Sequence, residues 1–288
     1  MVILFSDEKF AMKDRILVTG ASGYVGAATY VHLKQNFETI GTYNTTRLFP
    51  ELLKMEITNE QEVKRTIEQA KPTLIIHAAA NPNAKWCDAN PKEATLINEG
   101  GTRNVINAAN SVGAKVVYIS SFAAVINPKN LVYGRTKLAS EEITKQTTAG
   151  WIILRPTHII GYSPNTTNDR QINRFLKNIS EKKPVQYDNS WKFQPTELLH
   201  ISKVIEEGIK RGLNHEILPI STPELKTRFD LAKDIMTPFG IEVTAIDEKN
   251  TSPTFEQNLD KLKELNLPTV KYNEMIKRIV ADIKKNQP

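Results

Sequence analysis

The sequence predicts an α/β fold: a doubly wound parallel sheet with a smaller, mostly C-terminal α/β subdomain. In the first half of the 288 residues, short apolar runs alternate with longer segments of helical spacing, the pattern of parallel strands joined by crossover helices. Those runs are apolar throughout instead of alternating with polar residues, which is typical of strands covered on both faces. After Pro156 the pattern loosens into loops rich in Pro, Asn and Thr.

Strands are predicted before Pro156 at 15–19, 38–43, 73–77, 115–120 and 151–154. Helices are predicted between them at 24–35, from 58 to about 70, from about 91, and from 132 to about 147. The apolar spacing of the first helix falls at Val25, Ala28, Val31 and His32, and the second opens with a capping-box pattern at Thr58. Beyond Pro156 we predict helices at 170–180, 201–211 and 229–237 and a strand at 217–220 that returns to the sheet.

The composition excludes several classes of protein. The net charge of +6 is spread over the whole chain, whereas a nucleic-acid-binding protein would concentrate it on one face or helix. The single cysteine, Cys87, cannot form an internal disulfide, and no Cys or His cluster has metal-ligand spacing. The apolar residues 1–5 are too few for a signal peptide or a membrane span. We therefore expect a cytoplasmic protein with no nucleic-acid, membrane or metal partner.

A glycine-rich turn lies between the first predicted strand and the first predicted helix. It reads Thr19-Gly20-Ala21-Ser22-Gly23-Tyr24-Val25-Gly26 and places three glycines three residues apart. Glycines at this spacing allow a tight turn and let backbone amides approach a pyrophosphate, which the helix N-terminus attracts. The segment thus predicts a dinucleotide site, with a tight turn that binds no ligand as the alternative.

The segment after the second strand bears on which dinucleotide is bound. An acidic residue there binds the adenosine ribose in NAD sites, whereas an arginine accommodates the 2′-phosphate of NADP. The sequence reads Tyr43-Asn44-Thr45-Thr46-Arg47 and holds no carboxylate. This favours NADP(H), with Arg47 as the phosphate contact. NAD(H) stays open as the alternative, with Arg47 as an ordinary solvated side chain.

Tyr133 and Lys137 are four residues apart on a predicted helix and so share one face. A nearby cation favours the phenolate and lowers the pKa of a tyrosine, which makes the pair a proton donor for a carbonyl under reduction. Ser121 follows the predicted strand at 115–120, at the sheet edge where ligands of open α/β sheets bind. We predict Ser121, Tyr133 and Lys137 as catalytic residues. Without the glycine turn, the pair alone would fit an ordinary helix surface equally well.

Together these segments resemble an extended short-chain dehydrogenase/reductase, a superfamily with a Rossmann-type sheet. The glycine turn matches its Thr-Gly-x-x-Gly-x-x-Gly, and Tyr133 to Lys137 matches its Tyr-x-x-x-Lys; Ser121 matches its serine, although Ser120 is adjacent and the assignment could shift by one. Further matches are His77-Ala78-Ala79-Ala80, Asn98 and Leu154-Arg155-Pro156. The cofactor site implied by the resemblance and the turn comprises Gly20, Ser22, Gly23, Tyr24, Val25, Gly26, Tyr43, Arg47, Glu56, Ile57, Ala78, Ala79, Ala80, Asn98, Tyr133, Lys137 and Pro156.

Within this superfamily the chain is most similar to the dTDP-4-dehydrorhamnose reductase branch. The similar segments are Glu56-Ile57-Thr58-Asn59, the stretch from Asp188 to Thr196 and the stretch from Leu259 to Pro268. The resemblance implies a reductase or epimerase whose small-molecule substrate is a sugar nucleotide. It also implies a dinucleotide-binding domain at 1–158 and a mainly substrate-binding subdomain at 159–288, with segments near 196–222 returning to the first domain. Dimerisation through the helices that flank the active-site strand is usual in the superfamily, so a homodimer is a candidate.

Two departures from the branch affect the substrate expected. The residues after Ser121 read Phe122-Ala123-Ala124-Val125-Ile126-Asn127, a shorter and less polar loop than the branch usually has, and His77 replaces an asparagine. The shortened loop permits an alternative function: the branch resembles the regulatory subunit of methionine adenosyltransferase, which binds NADP without a required redox turnover. The intact set of Ser121, Tyr133 and Lys137 favours the reductase instead.

Six further residues outside the motifs are candidates for the site or the core. Arg170, Asn173 and Arg174 share one predicted helix, where they could contact a nucleotide diphosphate or form a solvated basic face. Trp191 and Phe193 could stack on a base, although anchoring in the core is the simpler expectation. Cys87 has no nearby base and is expected to be a packed small residue.

Overall fold

The computed structural model describes residues 14–126 and 131–286; the apolar residues 1–5 and Asn127 of the loop after Ser121 lie outside this part. The strands are β1 Arg15–Thr19, β2 Glu38–Tyr43, β3 Leu53–Lys54, β4 Leu74–His77, β5 Lys115–Ile119, β6 Trp151–Pro156, β7 His158–Ile160, β8 Val185–Asp188, β9 Pro195–Glu197, β10 Glu216–Ile220 and β11 Val243–Ile246. The helices are α1 Tyr24–Leu33, α2 Glu60–Ala70, α3 Ala84–Ala89, α4 Pro91–Thr95, α5 Gly101–Val112, α6 Ala123–Ile126, α7 Val132–Thr144, α8 Gln171–Glu181, α9 Leu198–Lys210, α10 Arg228–Met236, α11 Asp260–Glu264 and α12 Tyr272–Asn286. A π-helical turn at Leu96–Gly100 joins α4 to α5, and a 3₁₀ turn, Thr237–Phe239, follows α10.

A seven-stranded parallel sheet in the order β10-β6-β5-β4-β1-β2-β3 forms the centre of the fold. Alternate residues of β1 pack on opposite faces of it: Ile16 and Val18 face α1 and α9, whereas Leu17 faces α2 and α5. Both faces are therefore covered by helices, which is why the strand sequences are apolar throughout. The predicted doubly wound α/β fold is confirmed.

The residues after β6 add two short parallel sheets, β7 with β9 and β8 with β11. A separate apolar cluster joins α8, α10 and α12 around Phe175, Phe193 and Tyr272. The strand predicted at 217–220 is confirmed as β10, which pairs with β6 at the edge of the main sheet.

Two local predictions for the first half are wrong. Asn59, not Thr58, caps α2, because its side chain accepts a hydrogen bond from the Glu62 amide. The Thr58 hydroxyl instead donates to the Glu56 carboxylate at 3.1 Å. The apolar face predicted for α1 is wrong at Val31, which is exposed, whereas Val25 and Ala28 pack against the apolar clusters. Ala27, Tyr30 and Leu33, outside the predicted face, are buried. Helix α1 packs between the main sheet and the C-terminal cluster, so apolar spacing does not reveal which face is covered.

Candidate active site

A cleft of about 840 Å³ opens at the carboxyl edge of the main sheet, where the ends of the parallel strands meet. Its lining includes many of the residues predicted from the sequence: Gly23, Tyr24, Val25, Gly26, Ala78, Ala80, Ser121, Tyr133, Lys137 and Pro156. The other predicted residues lie outside this lining: Gly20, Ser22, Tyr43, Arg47, Glu56, Ile57, Ala79 and Asn98. The cleft therefore brings the glycine turn and the three predicted catalytic side chains together.

The glycine turn has the geometry of a backbone cradle. Gly20 has φ of +68°, and a Cβ on Gly26 would lie 2.1 Å from the Gly20 carbonyl oxygen. Gly23 is the N-cap of α1, and no side chain caps this helix N-terminus by a hydrogen bond. This close backbone packing fits a pyrophosphate held by amides and the helix dipole. The residues present thus fit a dinucleotide cofactor.

The end of β2 holds the residues predicted for the adenosine side. Tyr43 is flanked by two exposed cations: Arg47 Cζ lies 5.9 Å and Lys54 Nζ 5.8 Å from its ring centroid. Glu56 accepts hydrogen bonds from Asn44 and Thr58, and Ile57 packs against Gly101. Sequence reasoning missed Lys54, which follows Tyr43 by eleven positions and is brought back by the pairing of β3 with β2.

The two serines after β5 have different surroundings. Ser120 donates to the buried Glu141 carboxylate at 2.5 Å, so its hydroxyl is already engaged. Ser121 accepts from the Ala123 amide at 3.2 Å and also interacts with Tyr133. The geometry therefore favours Ser121 over Ser120 as the serine that acts with Tyr133.

The phenol of Tyr133 faces the cleft, and burial raises its pKa, against the opposing effects of the Arg170 charge and the Ser121 hydroxyl. The predicted lowering of this pKa by Lys137 is wrong. The reason is the placement of Lys137 Nζ, which donates to the Ile119 carbonyl at 2.8 Å and to the Tyr118 hydroxyl at 3.1 Å and lies 6.0 Å from the Tyr133 ring centroid. Tyr133 is thus held in its protonated form.

Lys137 itself is almost fully buried, 4% exposed, and burial lowers its pKa to about 7. The charge of Glu141 and the thiol of Cys87 both act in the opposite direction and favour the ammonium form. Lys137 is therefore balanced between its two protonation states near neutral pH.

Asn98 lies in the π-helical turn and does not face the cleft. Its side chain bonds both backbone groups of Asn81, and its carbonyl accepts from Thr102 and Ser140. In this structure Asn98 therefore ties the loop after β4 to α7 from behind the site. His77, which replaces the superfamily asparagine, is equally internal: its ring joins Thr19 at 2.8 Å to Thr102 at 3.0 Å, and burial lowers its pKa to about 3.

The opposite wall of the cleft comes from the second half of the chain. Arg170, the N-cap residue of α8, stacks its guanidinium 5.7 Å from the Tyr24 ring centroid. Burial raises the pKa of Tyr24 and Tyr133 and lowers that of His158; the Arg170 charge opposes the first two shifts and adds to the third. Arg228 also lines the cleft, above the Trp191 ring, and sequence reasoning missed it because no motif surrounds it. Neither guanidinium forms an ion pair with the residues at 14–126 and 131–286.

The other candidates in this half have structural partners. Arg174 lines the cleft but is held by Asp169 through two contacts of 2.6 Å, and Asn173 braces the loop at Asn165 and Asn168. Trp191 and Phe193 are buried in the C-terminal cluster, as expected for core anchors. Cys87 is fully buried, and burial raises the pKa of its thiol, which agrees with the packing interpretation.

Residues 123–126, which follow Ser121, form the short helix α6, and Ala123 lines the cleft. The cleft wall is therefore apolar at the point where the sequence already lacks polar residues. Within the described ranges, no group of three or more His, Cys, Asp or Glu side chains could hold a metal ion. No helix in that part of the chain is long and apolar enough to cross a membrane.

Comparison with known proteins places these features in a family. The family model described as RmlD substrate binding domain matches residues 14–261. Methionine adenosyltransferase 2 subunit beta from Xenopus laevis is 26% identical over 260 residues, a match that covers 83% of this chain and 76% of that protein.

Solved structures show the same fold. The dTDP-4-dehydrorhamnose reductase from Bacillus anthracis str. Ames in complex with NADP has a TM-score of 0.80 and 21% identity, covering 94% of this chain and 100% of that one. The Bordetella bronchiseptica enzyme WbmG in complex with NAD and UDP has a TM-score of 0.78 and 18% identity, covering 95% and 96%. The predicted resemblance to the reductase branch is thereby confirmed.

Proposed function

The chain belongs to the RmlD substrate binding domain family, and from that premise we propose that it is an NADP(H)-dependent reductase or epimerase of a sugar nucleotide. The observation that carries the proposal is the convergence of Ser121, Tyr133 and Lys137 in one cleft with the glycine turn. A protein that only binds a cofactor has no chemical need for all three side chains. The solved neighbours that contain NADP, or NAD and UDP, support the same ligand classes.

We further propose that residues 1–158 bind the dinucleotide and that 159–288 mainly bind the substrate. The glycine turn and the end of β2 lie in the first segment, and Arg170 and Arg228 in the second. Two guanidinium groups that lack ion-pair partners among the described residues suit a nucleotide diphosphate, because the planar guanidinium matches phosphate geometry. The single buried Cys87 supports a reducing, cytoplasmic compartment. The homodimer stays a prediction.

When bound, the cofactor would supply or accept the hydride, and the protein supplies position and electrostatics. Tyr133 donates its hydroxyl proton to the carbonyl oxygen that is reduced, and its raised pKa keeps that proton in place beforehand. Ser121, at the edge of the same cleft, orients the carbonyl oxygen by a hydrogen bond. Lys137 would hold the nicotinamide ribose through its ammonium group and would stabilise the tyrosinate that remains after Tyr133 has given up its proton.

The test is NADPH oxidation against a panel of 4-keto sugar nucleotides. Tyr133→Phe is expected to lower turnover at least about 100-fold, the contribution of a positioned general acid, while NADPH affinity changes little. Tyr162→Phe is the matched control, since Tyr162 lies outside the cleft lining. Turnover by Tyr133→Phe at the wild-type rate would refute the proposed role of Tyr133.

A second candidate function follows from the sequence matches. The relatives named methionine adenosyltransferase 2 subunit beta are subunits of another enzyme, and the residues that follow Ser121 form the short, apolar helix α6. A regulatory subunit would bind NADPH, turn over no member of the panel and co-purify with an enzyme partner. Turnover of any panel member that depends on Tyr133 excludes a purely regulatory role.

A further inference from the structure

A buried ion pair lies directly behind the catalytic helix α7. Glu141 is fully buried and binds the Arg155 guanidinium through two contacts, at 2.9 and 2.5 Å. The Ser120 hydroxyl donates to the same carboxylate at 2.5 Å. Both carboxylate oxygens are thus engaged, which offsets the cost of burying the charge.

Glu141 continues the catalytic face of α7. Tyr133, Lys137 and Glu141 follow one another at intervals of four residues, so they occupy successive turns of one side of the helix. Lys137 is therefore one turn from a buried carboxylate, in surroundings where charges are weakly screened. The charge of Glu141 favours the ammonium form of Lys137, in opposition to burial.

The other groups that face Lys137 do not supply a negative charge. Tyr118 and the Ile119 carbonyl on β5 accept its hydrogen bonds, and Tyr118 is a neutral phenol whose pKa burial raises. His77 on β4 is neutral, the pKa of the Cys87 thiol on α3 is raised, and Tyr133 is protonated. Arg155, on β6, binds Glu141 and adds positive charge.

We propose that the Arg155–Glu141 ion pair is a positioning device of the active site. Glu141 supplies the counter-charge that favours the ammonium form of Lys137, Arg155 holds the carboxylate in place, and the bond to Ser120 fixes the backbone that presents Ser121. Its consequence for turnover rests on the proposed reductase function, whereas its effect on the charge of Lys137 does not.

The test follows Lys137 directly, by NMR titration of its ¹³Cε and ¹⁵Nζ resonances in the full chain, assigned by their disappearance in Lys137→Met. In Glu141→Gln the titration midpoint of Lys137 is expected to fall by about one pH unit, a tenfold loss of proton affinity. Arg155→Lys keeps a cation beside the Glu141 carboxylate, so the midpoint is expected not to fall. Glu197→Gln is the matched control, because Glu197 forms a bidentate pair with Arg278, at 2.7 and 2.7 Å, without facing Lys137.

The double variant Glu141→Gln with Arg155→Gln replaces the ion pair with neutral amides and guards against misfolding of the single variant. It is expected to lower the midpoint as Glu141→Gln does. An unchanged Lys137 midpoint in either folded variant that lacks Glu141 overturns the proposal, as does an equal fall in Arg155→Lys.

Turnover gives a separate readout. If the chain reduces a keto sugar nucleotide, the loss of kcat at alkaline pH is expected to begin at lower pH in Glu141→Gln than in Glu197→Gln, with KM little changed. A lowered Lys137 midpoint in a protein that turns over no substrate supports the ion-pair proposal and counts against the reductase. If kcat is lost at the same alkaline pH in Glu141→Gln as in Glu197→Gln, the ion pair does not act on turnover.

Discussion

The two walls of the cleft are built in different ways. The wall from the first half consists of short motifs at the ends of parallel strands, and its geometry is set by backbone packing, as between Gly20 and Gly26. The opposite wall consists of side chains such as Arg170 and Arg228, which lie on separate helices and meet only through tertiary packing. The first wall therefore suits a common cofactor, and the second is free to vary with the substrate.

The largest expected effect comes from the backbone of the first wall. In Gly26→Ala the new Cβ would lie 2.1 Å from the Gly20 carbonyl oxygen, so α1 must move away from the turn. We expect NADPH affinity to fall at least about 100-fold, near 3 kcal/mol, as measured by calorimetry. Gly208→Ala is the matched control, because its Cβ would meet Ile152 at an ordinary 3.5 Å. Equal NADPH affinity in the two variants would contradict the proposal that the glycine turn is the backbone cradle of the cofactor pyrophosphate.

The next effect tests the opposite wall. Arg170→Gln removes a cleft charge that has no ion-pair partner among the described residues, and we expect kcat/KM to fall about 10- to 100-fold, mainly through KM, as for the loss of a charged hydrogen bond. Arg174→Gln should lose less, because Asp169 already holds that guanidinium. NADPH affinity, measured alongside, should change little in both. Losses of the same size in the two variants would show that the ion pair with Asp169 does not reduce the contribution of Arg174 to kcat/KM.

The same contrast explains what the sequence could predict. The main sheet, the glycine turn and the set of Ser121, Tyr133 and Lys137 depend on patterns a few residues long, and each is in place. Lys54 and Arg228 had no such pattern, since strand pairing and helix packing bring them to the site. The pKa of Tyr133 was predicted in the wrong direction because sequence spacing does not reveal that Tyr118 and Ile119 bind the Lys137 ammonium.

A smaller effect concerns two histidines: His77 lies behind the first wall, and His158 lines the opposite one. Burial lowers the pKa of His77 to about 3 and that of His158 to about 4, from the usual 6.5. Below pH 6.5 the unfolded chain takes up protons that the folded protein cannot, so stability is lost as the pH falls from 6.5 towards these values. His77→Asn should remove up to about 1.4 kcal/mol per pH unit from the pH dependence of the free energy of unfolding. Urea unfolding at a series of pH values from about 4 to about 7 measures this slope. A slope that matches the wild type would mean that His77 is protonated in the folded protein.

The smallest expected effect concerns the exposed adenosine end of the first wall. Arg47 and Lys54 flank Tyr43 from two sides, and each is proposed to meet the 2′-phosphate of NADP. Because both side chains are solvent-exposed, each is worth about 1 kcal/mol at most, so Arg47→Ala and Lys54→Ala should each weaken NADPH binding about fivefold and leave NADH binding unchanged. Lys64→Ala, on the outer face of α2, is the control for net charge. Because surface pairing is screened by salt, the NADPH preference should shrink as ionic strength rises. A preference that survives both substitutions would move the phosphate contact away from β2 and β3.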